Sequence, residues 1–375
     1  MDSHNIPIPR LLLKATLLFV TLNLILSTFN LLPSLGRLTL YNWLLPGRQR
    51  LPYGDDPQRA YNLSLYNLEA MFASHELTQA PKAEDEYRVV VIGDSSVWGF
   101  LLENEDTLTA ALNAAGLRAA DGRQAVFYNL GHPTISLTKD LMILDFAMDY
   151  DPDLILWPVT LEAFPINKQT SSPLVQNNAP RVRRLIEEFD LALDPRHPDL
   201  VDADFWGRSL VGQRRNLADI LRLQLYGFMW AATGIDVHIP EDVELRAVDL
   251  EPSEEYAGLL PPALPAEALA FDVLAAGVRR AAEVPVLIIN EPTFVSEGAN
   301  SDLRYSSFYP RWAYDAYRVL LQSESEEQAW DYVDLWQAAD SQEFTNTPIH
   351  LTPQGTLQFA NALIAILHDL FNLQP

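Results

Sequence analysis

From Arg88 onward, short apolar runs alternate with stretches patterned as helices, and this alternation constrains the fold more than any other feature. The runs are 89–92, 125–130, 154–157, 286–289 and 332–335. Most are almost continuously apolar, as a strand covered on both faces must be. Between the first two, Leu108, Ala111, Leu112 and Ala115 recur at helical spacing, and Gly116 offers a stop. Leu141, Leu144, Asp145 and Met148 mark another helix, with Thr138 as its expected cap. A last helix is expected to start at Thr352, with Pro353 in its first turn. The pattern predicts an α/β fold: an open, five-stranded parallel sheet with helices on both faces.

Residues 15–33 carry no charge over about the length that crosses a bilayer's hydrocarbon core. Apolar side chains occur all round this segment, which favours a transmembrane helix over a surface one. No small-residue cleavage pattern follows it, so a retained anchor is expected rather than a removed signal peptide. Arg10 and Lys14 precede the run while Arg37, Arg48 and Arg50 follow it, so the charge bias that sets orientation is nearly balanced. The expected layout is a tail and anchor over 1–36, a juxtamembrane segment over 37–87, and an α/β domain over 88–375. In the juxtamembrane part, Pro52-Tyr53-Gly54-Asp55-Asp56-Pro57 signals a turn and 63–73 a helix. Residues 171–269 interrupt the strand rhythm with helices near 182–193 and 214–232 and read as a lid over the site. Arg181, Arg183, Arg184, Arg214 and Arg215 in this insertion read as solvated helix faces, an anion site being the other reading.

A formal net charge of -24 and the lack of a basic cluster make nucleic acid an unexpected partner. With no cysteine, thiolate chemistry and cysteine-bound metals are excluded. No glycine-rich phosphate loop and no histidine pair at metal spacing occur, so neither cofactor nor metal is expected.

In open α/β sheets the working residues gather beyond the carboxyl ends of the strands. That rule selects Ser95 after the first run, Gly131 after the second, Thr160 and Glu162 after the third, and Glu291 after the fourth. His350 stands before the last helix. A serine hydroxyl becomes a nucleophile when an adjacent base takes its proton, and histidine suits that task. His132 beside Gly131 reads as a loop histidine with a local hydrogen bond, substrate contact being the alternative. Glu291 stands between substrate contact and a structural bond, and Asp94 reads as a brace for the turn.

The strand ending in Gly93-Asp94-Ser95, the Asn129-Leu130-Gly131 turn and the His350-Leu-Thr-Pro-Gln-Gly355 segment resemble the GDSL/SGNH hydrolase superfamily. The resemblance covers 88–163 and 284–371. It implies a flavodoxin-like sheet and esterase, lipase, deacetylase or acyltransferase activity. Carried over by residue, it makes Ser95 the nucleophile and His350 the base, with Ser95 and Gly131 amides as oxyanion donors. Two of the family's residues are absent. Thr160 stands near where an oxyanion asparagine is expected, and Thr347 where an aspartate orients the histidine. Asn346, Asp340 and Glu343 are the other candidates for orienting His350. An anchor followed by this domain is similar to envelope proteins that move acyl groups on surface polymers. It implies an acylated glycan or lipid as substrate and a membrane acyltransferase as partner, or else a catalytically weak relative that binds polysaccharide.

Overall fold

The computed structural model describes residues 7–54, 56 and 58–374. The first six residues, and Asp55 and Pro57 of the turn expected over 52–57, lie outside them. The strands are β1 Glu86–Gly93, β2 Gln124–Gly131, β3 Leu154–Val159, β4 Val286–Asn290 and β5 Asp331–Asp334. All pair in parallel in the order β2-β1-β3-β4-β5. This is the flavodoxin-like order, whose direction of winding reverses between β1 and β3. Leu335, expected inside the last strand, lies just beyond β5, yet its amide still reaches Asn290 O at 3.0 Å.

The described helices that matter here are α1 Ile8–Phe29, α2 Leu40–Leu44, α3 Leu68–Ala73, α4 Ser95–Trp98, α5 Leu108–Ala114 and α6 Leu137–Ala147. They continue with α7 Ala179–Phe189, α8 Arg214–Thr233, α9 Phe271–Ala281, α10 Arg311–Glu327 and α11 Pro353–Phe371. Successive strand residues point to opposite faces. Val89 and Val91 therefore pack with Leu112 of α5 and Phe359 and Leu363 of α11. Val90 and Ile92 pack on the other side with Leu144 of α6 and Leu274 of α9.

Two helix starts differ from expectation. The cap of α6 is Ser136, whose extended backbone suits an N-cap, while Thr138 lies inside the helix with its hydroxyl on Gln169 Oε1 at 3.0 Å. Asn67 caps α3 by accepting from Ala70 N at 2.8 Å, so residues 63–67 lie outside the helix. At the other end of the chain, Thr352 caps α11 as expected, accepting from Gly355 N at 3.1 Å.

The first helix begins earlier than its uncharged run and includes Arg10 and Lys14. Its 22 residues span about 33 Å at 1.5 Å each, close to the roughly 30 Å of a bilayer core. It is long and apolar enough to cross a membrane, and its N-terminal position would equally suit a signal sequence. Arg48 and Arg50, counted as charges flanking the span, are buried. Arg50 pairs with Asp236 at 2.6 Å, donates to Gly99 O and Leu102 O at 2.9 and 3.0 Å, and lies over the Trp98 ring. This guanidinium fastens the segment before β1 to the insertion and to the loop behind Ser95.

The insertion closes at its neck, where Pro165 bridges Leu269 and Ala270 N donates to Phe164 O at 2.8 Å. Arg181 is half-buried, whereas Arg184 lies on an exposed helix face as expected, and both are engaged by carboxylates rather than left free for an anion. Together with Arg280 they converge on Asp145 of α6, and Arg183 pairs with Asp202 at 2.7 Å. Arg246 pins the far end of the insertion to the loop before α11, donating to Thr345 O at 2.8 Å and Ser341 O at 2.7 Å.

Candidate active site

Gly93 ends β1, and Asp94 then caps α4 by accepting from Ser96 N at 2.8 Å. The tight strand-to-helix turn puts Ser95 in the first turn of α4, at the winding reversal of the sheet. As the first helical residue, its amide has no intrahelical acceptor. Its hydroxyl lies 2.7 Å from His350 Nε2.

A short two-stranded turn presents His350. Phe344 bridges Leu351, and Thr345 N donates to His350 O at 2.8 Å. Inside the turn, Thr347 Oγ1 accepts from the amides of Ile349 and His350 at 3.4 and 3.2 Å. Thr347 thus shapes the loop, while Asn346 reaches the ring: its Oδ1 is 2.8 Å from His350 Nδ1. With Oδ1 accepting, Nδ1 carries the proton and the Nε2 lone pair is left for the Ser95 hydroxyl. Phe100 stacks on the imidazole with ring centres 4.8 Å apart. Burial pushes the His350 pKa down to about 4, so the ring is a neutral acceptor at pH 7.

Several expected residues do other things. A Cβ on Gly131 would stand 2.4 Å from Trp98 N, so glycine lets β2 run against α4. Its amide, however, donates to Asn129 Oδ1 at 3.1 Å, while Asn129 Nδ2 donates to Val97 O at 2.8 Å. The pair braces α4 and leaves no free Gly131 donor. Thr160 is buried with its hydroxyl 2.7 Å from Tyr309 Oη. Glu162 pairs with Lys168 and accepts from Tyr256 Oη at 3.4 Å. Asp340 sits at the surface on Gln358, at 2.7 Å, and Glu343 accepts from the Thr352 hydroxyl. None of these four reaches the imidazole. His132 is buried edge-on to Tyr53, 5.6 Å between ring centres, and neither ring nitrogen has a hydrogen-bond partner among the described residues. Burial, and then Lys139, push its pKa down to about 3.

Beneath the turn lies a charged cluster that the sequence reading missed. Lys139 of α6, fully buried, donates to Gly93 O and His132 O at 2.7 Å each and pairs with Asp140 at 2.8 Å. It ties the carboxyl ends of β1 and β2 together. Glu291 is buried beside it and accepts from the Ser96 hydroxyl, its other oxygen lacking a partner among the described residues. Burial, and then the neighbouring Asp94 carboxylate, hold the Glu291 pKa well above its usual 4.5. The sequence signal was a Lys-Asp pair in the first turn of a helix whose residues are all buried. Beyond β2, Thr134 has φ 89°, an outlier for a β-branched residue, and its hydroxyl is 2.9 Å from Ser172 Oγ of the insertion.

A cleft of about 610 Å3 opens beside Asn346 and Phe100. Trp98 and Leu101 form part of its wall, and Val243 and Leu245 of the insertion face them.

No family model matches the chain, and no curated protein does. Among solved structures it is similar to a carbohydrate acetylesterase family member from Sinorhizobium meliloti, with 15% identity, TM-score 0.33, and 76% of this chain and 99% of that one covered. It is similar to a member of the lipolytic protein G-D-S-L family from Veillonella parvula, with 10% identity, TM-score 0.36 and the same coverages. It is also similar to a catalytic mutant of the acetylxylan esterase Axe2 from Geobacillus stearothermophilus, with 11% identity, TM-score 0.33, and coverages of 76% and 94%. By its sheet order and by where its serine and histidine stand, the chain has an SGNH hydrolase-like fold.

Proposed function

We propose that this chain is a membrane-anchored serine esterase or acyltransferase of the SGNH type, acting on ester-linked acyl groups of an envelope glycan or lipid. The observation that carries the reading is the continuous line from Ser95 Oγ through His350 to Asn346, with steps of 2.7 and 2.8 Å. In this mechanism Ser95 Oγ attacks the acyl carbonyl as His350 Nε2 takes its proton. His350 then returns the proton to the departing alcohol, leaving an acyl-enzyme. Water or a sugar hydroxyl, deprotonated by the same nitrogen, releases the acyl group. The Ser95 amide, at the start of α4, serves the oxyanion. A neutral amide in the third position orients the imidazole without adding a charge. The alcohol part of the ester would lie in the neighbouring cleft beside Phe100 and Asn346. The α1 helix anchors the chain, with the α/β domain on the extracytoplasmic side.

A second reading is a non-catalytic relative that binds polysaccharide or scaffolds a membrane acyltransferase. It is favoured by the neutral partner of His350 and by the engaged Gly131 and Thr160. Turnover of an activated acetyl ester, with fluorophosphonate labelling of Ser95, separates the two. The enzyme reading requires labelling and its loss, with turnover, in Ser95→Ala of unchanged fold. Absent labelling with measurable glycan affinity replaces it with the binder.

A further inference from the structure

One face of α8 is apolar and uncovered. Its inner face buries Ile220, Leu223, Gly227 and Trp230, as an insertion helix should. Leu221, Leu225, Phe228 and Met229, spaced by four, three and one, form a second stripe on the opposite side, and all are exposed, Leu225 by 64%. A soluble helix does not place large apolar side chains on both faces without something to cover the second.

The structure links this stripe to the end of the candidate span. Tyr41 of α2 packs where a Cβ on Gly227 would stand 2.2 Å from its ring, so α2 and α8 lie in close contact. Gln224 Oε1 accepts from Leu40 N at 2.8 Å. The contact sets Trp43 and Leu44, 67% and 76% exposed, on the same assembly as the α8 stripe. The loop before α8 touches α1 itself, Val211 N donating to Asn23 Oδ1 at 3.4 Å, and carries Trp206 with 75% exposure. Asn23 lies six residues before the end of α1 at Phe29, about 9 Å along the helix at 1.5 Å per residue. Interfacial helices sink their apolar face about 5–10 Å below the headgroup boundary. Arg214, Arg215 and Arg222 against one Asp219 make α8 net basic in a chain of net charge -24. Exposed tryptophans beside arginines are what a headgroup region accommodates.

We infer that α8 is an interfacial helix: with α2 and the 205–211 loop it lies in the bilayer surface beside α1, its Leu221-Leu225-Phe228 face in the acyl boundary. The occupant of the face is lipid, held by apolar burial and by arginines that reach the headgroups. The cleft-lining residues between Val237 and Ala247 follow the end of α8 after three residues, so the cleft is held close to the membrane plane. This inference rests on the reading of α1 as an anchor.

The native chain has no cysteine, so single cysteines can be labelled cleanly. The full-length protein, reconstituted in phosphatidylcholine–phosphatidylglycerol vesicles, would carry a nitroxide at position 18 of α1, at 221, 225 or 228, or at 322 on α10 as a water-facing reference. Collision with oxygen is compared with collision with a water-soluble nickel chelate. Oxygen collision exceeding chelate collision several-fold at 18 and at 221, 225 and 228, with the reverse at 322, is the expected result. A lipid-facing 18 with water-facing 221, 225 and 228 overturns the inference and leaves the anchor standing. If those three are shielded from both reagents, a protein partner or a second copy covers the face instead, which also overturns it. A water-facing 18 removes the anchor reading itself, and the inference with it.

Discussion

Asn346 Oδ1 lies 2.8 Å from His350 Nδ1, on the edge of the ring away from Ser95. A carboxylate there would both orient the ring and stabilise its charged form, whereas an amide does only the first. Replacing a triad aspartate by asparagine lowers kcat by about 10^4 in a serine protease, where the tautomer is also wrong. Here the Oδ1 contact keeps the proton on Nδ1, so the missing contribution is the charge alone. Asn346→Asp is therefore expected to raise kcat on an activated ester by about 10-fold or more, and Asn346→Ala to lower it by about 10- to 100-fold, through loss of ring orientation. Steady-state kinetics on the two variants tests this. Equal rates in all three proteins would show that Asn346 does not position the base.

The pH profile carries a second expectation. Burial lowers the His350 pKa to about 4. Neutral imidazole is the acting form, so kcat/KM should stay level from pH 7 to about 5 and fall below, about two units lower than an ordinary histidine of 6.5 would allow. The same shift acts on stability. Because the folded pKa is the lower one, His350 adds stability above pH 6.5 that is lost as pH falls toward 4. Brief assays after a pH jump, with circular dichroism to show the fold intact, separate the two effects. In Asn346→Asp the added carboxylate favours the imidazolium, and the acid limb should move up. A native limb near 6.5 would mean that the titrating base is solvated rather than covered by Phe100.

Strands and nucleophile turn were legible in the sequence for a simple reason. A strand covered on both faces must be apolar throughout, and the turn after β1 is local in sequence. The His350 partner was not legible in the same way. Asn346, Thr347, Asp340 and Glu343 all stood close enough along the chain, and the Phe344–Leu351 bridge that turns Asn346 inward is a tertiary outcome. Gly131 could be placed but the direction of its amide could not, because that depends on the Asn129 side chain. Arg48 and Arg50 misled for a different reason. Charge counts treat every arginine as solvated, whereas Arg50 finds Asp236 and two carbonyls in the interior.

The cluster under the turn gives the sharpest test of buried electrostatics. Lys139 donates to Gly93 O and His132 O and is the ion partner of Asp140, so Lys139→Met strands two carbonyl acceptors and leaves a buried carboxyl group without its cation. Breaking a buried ionic group in this way costs about 3–5 kcal/mol, which should appear as a large fall in Tm. Glu291→Gln makes the opposite case. Burial and the Asp94 carboxylate raise the Glu291 pKa, and Gln keeps an acceptor for the Ser96 hydroxyl at nearly the same volume. In the wild type, an unfolded Glu291 ionises above about pH 4.5 while the folded one holds its proton to higher pH. Stability from this group is therefore full at acid pH and lost as pH rises toward the raised folded value. Gln has no such proton to release. The Tm of Glu291→Gln minus that of wild type should accordingly grow from pH 5 to pH 8, measured by calorimetry in matched buffers. A difference that stays flat, or shrinks, over that range would show Glu291 to be ionised in the native protein, with Lys139 rather than a proton neutralising it.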